Sequence, residues 1–232
     1  MGTTCSLFGD GDLAAGERWV RRIATRITRF DESSELSRLN TAAAWVDISA
    51  ELEQLLRASL RAFETSGGLV NIAVLPSMLA IGYTRSLAQG PTAPNLDQAH
   101  SAPSLPDVLK VSRARARLAP NVRIDLGGIA KGWMADQLAA RLGDHVLVNL
   151  GGDLYARGEW PVAIAGKTYL LRNLGAATSS SRKRRWGDLH HLIDPRTGLP
   201  AATRLEEVSV VAETALDAEV LAKTVLLSGR AA

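Results

Sequence analysis

The chain has one cysteine in 232 residues, Cys5. A lone thiol excludes an internal disulfide and a multi-cysteine metal cluster. No apolar stretch precedes it to make it a lipid-attachment site, so a reducing compartment is the default. Aromatic residues make up only 5%. Lysine is nearly as scarce: Lys110, Lys131, Lys167, Lys183 and Lys223 stand among 27 basic residues, and arginine supplies the rest. The planar guanidinium fork suits phosphate. No run of roughly 18 apolar residues occurs, so the sequence predicts no transmembrane helix. The opening MGTTCSLFGDGDL has neither a basic nor an apolar signal region, and the expected location is cytoplasmic if Met1 is the true start. G-x-S-x-G and H-E-x-x-H are missing too, which removes the serine-hydrolase and zincin readings.

What is present describes a folded protein. Hydrophobic residues reach 46% and the mean hydropathy is +0.02, too apolar for a disordered chain. The length suits a single domain over residues 1–232, or two intimate lobes. The net charge is +3. The one dense basic run, Arg182-Lys183-Arg184-Arg185, has no interleaved aromatics. It reads as a solvated loop or as a contact to a phosphate-bearing ligand, not as a nucleic-acid footprint.

Apolar periodicity predicts a helix over residues 12–30 through Leu13, Val20, Ile23, Ile27 and Phe30. Residues 31–35 are polar and turn-like. A second helix is capped by Ser49, carries Glu51 and Glu53 in its first turn, and buries Leu52, Leu56, Leu60 and Phe63 before Gly67-Gly68 ends it. Residues 90–107, with four prolines, predict an irregular excursion containing a short helix at 96–100. A strand is expected at 122–126, then a glycine-opened helix to Leu142. Short strands at 146–150, 160–164 and 208–212 precede a last helix over 214–227 capped by Thr214. Without strict βαβ repetition the class is α+β.

Three segments could carry chemistry. In DLGGIAKG, residues 125–132, a strand delivers a carboxylate, two glycines turn the chain and a helix begins. Its free N–H groups and Lys131 could cradle a phosphate. The same run also reads as an ordinary strand–turn–helix with an exposed lysine, and it is neither a P-loop nor G-x-G-x-x-G. NLGGD, residues 149–153, reads as a tight turn. In HHLIDPRTG, residues 190–198, the paired histidines point to opposite faces of a strand, so one could be a general base and the other structural. The residues after them have strong turn chemistry. Glu219 and Lys223, four apart on the last helix, read as a helix-surface ion pair.

The order of these segments is more specific than any one of them. Met1-Gly2-Thr3, SELSRLN at 34–40, DLGGIAKG, NLGGD, Ala177-Thr178-Ser179, HHLIDPRTG and AEVLAK at 218–223 follow one another as in the ApbE family, which the chain resembles over nearly its whole length. Its arginine-rich form looks like the short actinobacterial branch. The resemblance implies a T-fold-like α+β architecture. It also implies transfer of FMN from the donor FAD to a threonine of an acceptor flavoprotein, with AMP released and a magnesium ion assisting. It would place Met1, Phe30, Leu69, Val70, Asn71, Asp125, Lys131, His191 and Lys223 around the cofactor. Lys131 would lie near the pyrophosphate, and the Gly128 carbonyl and Glu219 on the metal. His191 would be the base for the acceptor hydroxyl, at a pKa near its ordinary value.

The chain departs from the family pattern in four places. Asn71-Ile72-Ala73 stands where Asp-Pro-Thr is usual. Glu219 and Lys223 replace an aspartate and a threonine on the metal helix, and a protonated lysine has no lone pair to donate. Thr178-Ser179-Ser180 lacks the usual third-position glycine. Both ends are short for the family. These departures keep two alternatives open: a degenerate flavin- or adenine-nucleotide-binding protein without transfer, and a hydrolase of the FAD pyrophosphate.

Overall fold

A computed structural model describes residues 2–42 and 44–229. The chain opens with strand β1 (Cys5–Gly9) and helices α1 (Leu13–Ile27) and α2 (Glu35–Thr41). Strand β2 (Val46–Asp47) and helix α3 (Ala50–Thr65) follow, then the short helices α4 (Leu75–Ala80) and α5 (Leu105–Val108). Strands β3 (Leu109–Ser112) and β4 (Arg115–Leu118) lead to helix α6 (Ala130–Leu142). Then come β5 (Val146–Leu150), β6 (Leu154–Ile164), β7 (Lys167–Ser180), β8 (Arg185–Trp186), β9 (Leu189–His190), β10 (Glu207–Ala212) and helix α7 (Ala215–Ser228).

Five strands form an antiparallel sheet in the order β1-β5-β6-β7-β10; β2-β4-β3 form a second sheet and β8-β9 a small hairpin. This is the expected α+β class. Helices α6 and α7 pack on each other and on the large sheet. The main core joins Ile23, Leu36, Leu52, Leu126, Met134 and Val148, all fully or almost fully buried. Among the described residues no helix is long and apolar enough to cross a membrane.

The caps explain the boundaries that the sequence places well. Ser49 Oγ accepts the Leu52 N–H at 3.3 Å and opens α3. Thr214 Oγ1 does the same for Asp217 at 2.9 Å and opens α7. α1 is shorter than expected, because Thr28 is extended and leaves Phe30 outside the helix. The turn at residues 31–35 exists, but Ser34 then caps a helix that periodicity did not announce, accepting the Ser37 N–H at 3.0 Å. In place of a helix at 96–100 the excursion carries a single 3-10 turn at Leu96–Gln98.

The expected strand at 122–126 does not form. Its backbone is extended at the right place, but its partner is a side chain. Asn40 Oδ1 accepts the Ile124 N–H at 2.8 Å, and Asn40 Nδ2 donates to the Ile124 carbonyl at 2.9 Å. One amide thus satisfies both polar groups that a neighbouring strand would have taken. The SELSRLN run is accordingly scaffold: Ser34 caps α2, Glu35 Oε2 accepts from the Ser49 amide and hydroxyl at 3.0 and 2.7 Å, and Asn40 holds the chain just before Asp125.

Candidate active site

A cleft of about 620 Å³ opens where the chain leaves α1, enters α6, ends β7 and passes through the β8–β9 hairpin toward α7. Phe30, Leu69, Val70, Asn71, Asp125, Gly128, Lys131, His191 and Lys223 all line it. Met1 lies outside the described residues; Gly2 and Thr3 reach the cleft wall. Glu219 lies beneath the floor at 1% exposure.

The floor is a charge cluster. Glu219 Oε1 takes the Lys131 ammonium at 3.3 Å and the Lys223 ammonium at 3.1 Å, while Oε2 accepts the Gly132 N–H at 2.8 Å. Lys131 also pairs with buried Asp153, the carboxylate that ends NLGGD. The helix-surface reading of Glu219 and Lys223 is thereby overturned, because α7 turns this face into the protein and onto α6. Burial lowers the Lys131 pKa to about 8, against the opposing pull of Glu219. Burial would raise the Glu219 carboxyl, but the two ammoniums hold it well below the usual carboxylate range. Both shifts are downward but differ in cause: burial disfavours the charged form of Lys131, whereas the two ammoniums favour the charged form of Glu219.

Glycine is required where these helices cross. A Cβ on Gly132 would come within 2.6 Å of the Ala215 carbonyl, so α6 and α7 could not approach so closely with any other residue. From the other side, Asp136 on α6 accepts the N–H groups of Ala215 and Leu216 at 2.7 and 3.0 Å and caps α7. Burial raises its pKa to about 6. The sequence reading missed Asp136, although a carboxylate on the apolar side of a helix was a visible signal.

The amide groups of the DLGGIAKG turn are mostly occupied. Gly127 N–H goes to Asp125 Oδ1 at 2.8 Å, Ile129 and Ala130 bond back to the Leu126 carbonyl, and Gly132 goes to Glu219. The expected cradle of free N–H groups is therefore largely spent, and cationic side chains are left to meet an anion.

One wall is aromatic and guanidinium. Arg29 Nε pairs with Asp125 Oδ2 at 2.7 Å, and both side chains are buried. Its Nη2 donates to the Tyr83 carbonyl at 2.7 Å. The guanidinium lies 4.2 Å from the Phe30 ring centre and 4.6 Å from that of Tyr83. Arg29 and Tyr83 were missed; nothing local marks an arginine at a helix end as a partner for a distant carboxylate. Asn71 turns its side chain to the fold, donating to the Pro103 carbonyl and accepting the Ala73 N–H, both at 2.9 Å.

The two histidines part as expected, although only His190 lies in a strand, β9. His190 is buried, with Nε2 3.2 Å from the Ala201 carbonyl, and Nδ1 accepts the Leu192 N–H. His191 faces the cleft, and its Nδ1 is buried without a hydrogen-bond partner. Burial, then Arg184 and Lys223, push its pKa down to about 3. The expectation of an ordinary histidine pKa is wrong here, because the ring is buried beside two cations. Of the basic run, Lys183 and Arg184 line the cleft, whereas Arg182 pairs with Glu206 and Arg185 with Asp188. The run is thus divided: two of its residues face the cleft and two are paired with carboxylates at the surface.

Comparison with known proteins agrees with this architecture. The FAD:protein FMN transferase of Haemophilus influenzae is 25% identical over 99% of this chain and 79% of its own length. The enzyme of the same name from Treponema pallidum is 30% identical over 85% of this chain and 66% of its own. Among solved structures, the ApbE protein of Thermotoga maritima superposes with a TM-score of 0.83 at 24% identity, covering 97% of this chain and 82% of that one. The apo form of the Pseudomonas stutzeri flavinyl transferase ApbE gives 0.83 at 21%, covering 99% and 84%. The ApbE family model matches residues 1–232 from end to end, and the chain belongs to that family.

Proposed function

We propose that this chain transfers FMN from FAD to a threonine hydroxyl of an acceptor flavoprotein and releases AMP. The relatives named above support the reaction, and one observation supports it independently. Five cationic side chains line the cleft, Arg29, Lys131, Lys183, Arg184 and Lys223, against Asp125 and Asp153, with Glu219 as a third carboxylate beneath. The formal excess of two positive charges complements a pyrophosphate diester, which carries one negative charge on each phosphorus. The Phe30–Tyr83 wall offers an apolar face to a flat ring system beside that charge.

Phosphoryl transfer asks the protein for positioning and charge neutralisation rather than a covalent nucleophile. The threonine oxygen attacks the FMN phosphorus. A new P–O bond forms as the bridging P–O bond breaks, and AMP departs with the bonding pair. The hydroxyl proton passes to the His191 imidazole, which its low pKa keeps neutral and open to a proton. Pyrophosphate in the cleft offsets Arg184 and Lys223 and makes that ring more basic, so the base strengthens when the donor is bound. Lys131 and Lys223 hold the charge that grows on the leaving phosphate.

Magnesium, which the family implies, fits this chain's residues poorly. Glu219 already uses three of its roughly four acceptor sites. An ion on its free side would have two ammoniums as neighbours. At an effective dielectric of about 20, each repels a divalent ion about 4 Å away by roughly 8 kcal/mol.

Incubation with FAD and a candidate acceptor domain, followed by in-gel flavin fluorescence and mass spectrometry of the adduct, tests the proposal. A covalent FMN adduct with stoichiometric AMP is expected. FAD binding without AMP release would reduce the chain to a binding protein, and AMP with free FMN in the absence of acceptor would make it a hydrolase.

A further inference from the structure

We propose that Lys223 is the resident cation of this site and that the chain handles FAD without a divalent metal. The inference rests on the flavin-transfer reading above and goes beyond it in replacing the expected ion by a side chain. Three observations carry it.

The first is occupancy. The Lys223 side chain runs across Gly128, so closely that a Cβ there would meet Lys223 Cε at 3.2 Å. The Gly128 carbonyl and Glu219 are the two groups that the family resemblance assigns to the metal, and Lys223 passes beside Gly128 to reach Glu219 at 3.1 Å. The ammonium therefore fills the place beside the carboxylate rather than pointing to solvent.

The second is the donor set. Among the described residues no group of three or more histidine, cysteine, aspartate or glutamate side chains comes together to hold a metal ion. Glu219 is surrounded by Lys131, Lys223 and the Gly132 amide, and the other floor carboxylate, Asp153, is itself paired with Lys131. Hard divalent cations need several oxygen ligands, which this neighbourhood does not provide.

The third is charge balance. The lining already complements a pyrophosphate with no ion present. A divalent ion would leave two positive charges uncompensated in a partly buried site, whereas an ammonium of fixed position completes the balance. An ammonium donates hydrogen bonds to phosphate oxygens and neutralises charge, but it cannot polarise a ligand as a coordinated ion does.

The test is titration of FAD into the full chain by fluorescence quenching, in EDTA and in excess magnesium chloride, with manganese binding followed by electron paramagnetic resonance. The wild-type FAD affinity is expected to change by less than about twofold between the two buffers, and manganese is expected to show no saturable site, with or without FAD. Lys223→Thr, which replaces the ammonium by a hydroxyl, should weaken FAD binding in EDTA ~10- to 100-fold and regain it with magnesium. Lys223→Met should lose the same affinity without regaining it, and circular dichroism melts of both variants establish that they fold. Saturable manganese binding to the wild type, tighter FAD binding with magnesium, or wild-type affinity of both variants in EDTA would each overturn the inference. Failure of the wild type to bind FAD in either buffer would instead bring down the flavin reading itself, and the inference with it.

Discussion

Arg29 and Asp125 form a buried ion pair at 2.7 Å, with only 4% and 12% of their side chains exposed. The contact joins the end of α1 to the turn before α6, so it couples the fold to the cleft. Removing one member leaves the other charged and alone, which costs about 3–5 kcal/mol. Arg29→Met and Asp125→Asn should each lower the urea-unfolding free energy by that order. The double variant should lose much less than the sum, and a double-mutant cycle reads the coupling.

His191 should act in transfer more than in binding. His191→Ala is expected to reduce the transfer rate ~10²- to 10⁴-fold while FAD affinity changes little. Equal loss of both would refute its role as base. With its pKa near 3, the free-enzyme profile of kcat/KM should show no histidine limb between pH 5 and 8. Arg184→Gln removes the largest of the neighbouring charges that depress the ring and should move that limb upward in pH.

Asp136 should make stability fall as pH rises. Its folded-state pKa of about 6 lies above the unfolded value near 3.9, so its contribution is complete below about pH 4 and is lost as pH climbs through 6. The stability difference between wild type and Asp136→Asn should therefore shrink by roughly 2 kcal/mol from pH 4 to pH 7, measured by urea melts across that range. A difference that stays constant with pH would remove the titration from Asp136.

Asn40→Ala should expose the cost of the missing strand. It strands a buried N–H and C=O of Ile124, worth about 1–3 kcal/mol each. Because Asp125 is the next residue, FAD affinity should fall as well. Asn40→Asp keeps the acceptor but loses the donor, and should sit between the two in thermal melts.

Local signals were readable in the sequence and long-range ones were not. The cap at Ser49, the end of α6 at Leu142, β5 and the cap at Thr214 depend on neighbours a few residues away, and each stands where expected. β7 escaped notice because much of its first half is exposed, which leaves no clean alternation to read. The expected strand at 122–126 failed because periodicity says that a segment is extended but not what pairs with it. The candidate site was legible as a set of residues, since nine of the expected positions share one cleft. Its electrostatics were not. The depth of Glu219, the suppressed basicity of His191 and the Arg29 clamp all arise from elements far apart in sequence.

The excess of positive charge in the cleft has a consequence for turnover. In the proposed reaction AMP leaves as a phosphomonoester dianion from a cleft lined by Lys131, Lys223 and Arg184, and charges that suit a pyrophosphate suit that dianion too. Under the proposed reaction, the groups that speed bond cleavage also retain the product. AMP is therefore expected to compete with FAD for the cleft, which would make the protein answer to the cellular adenylate pool as well as to its supply of flavin.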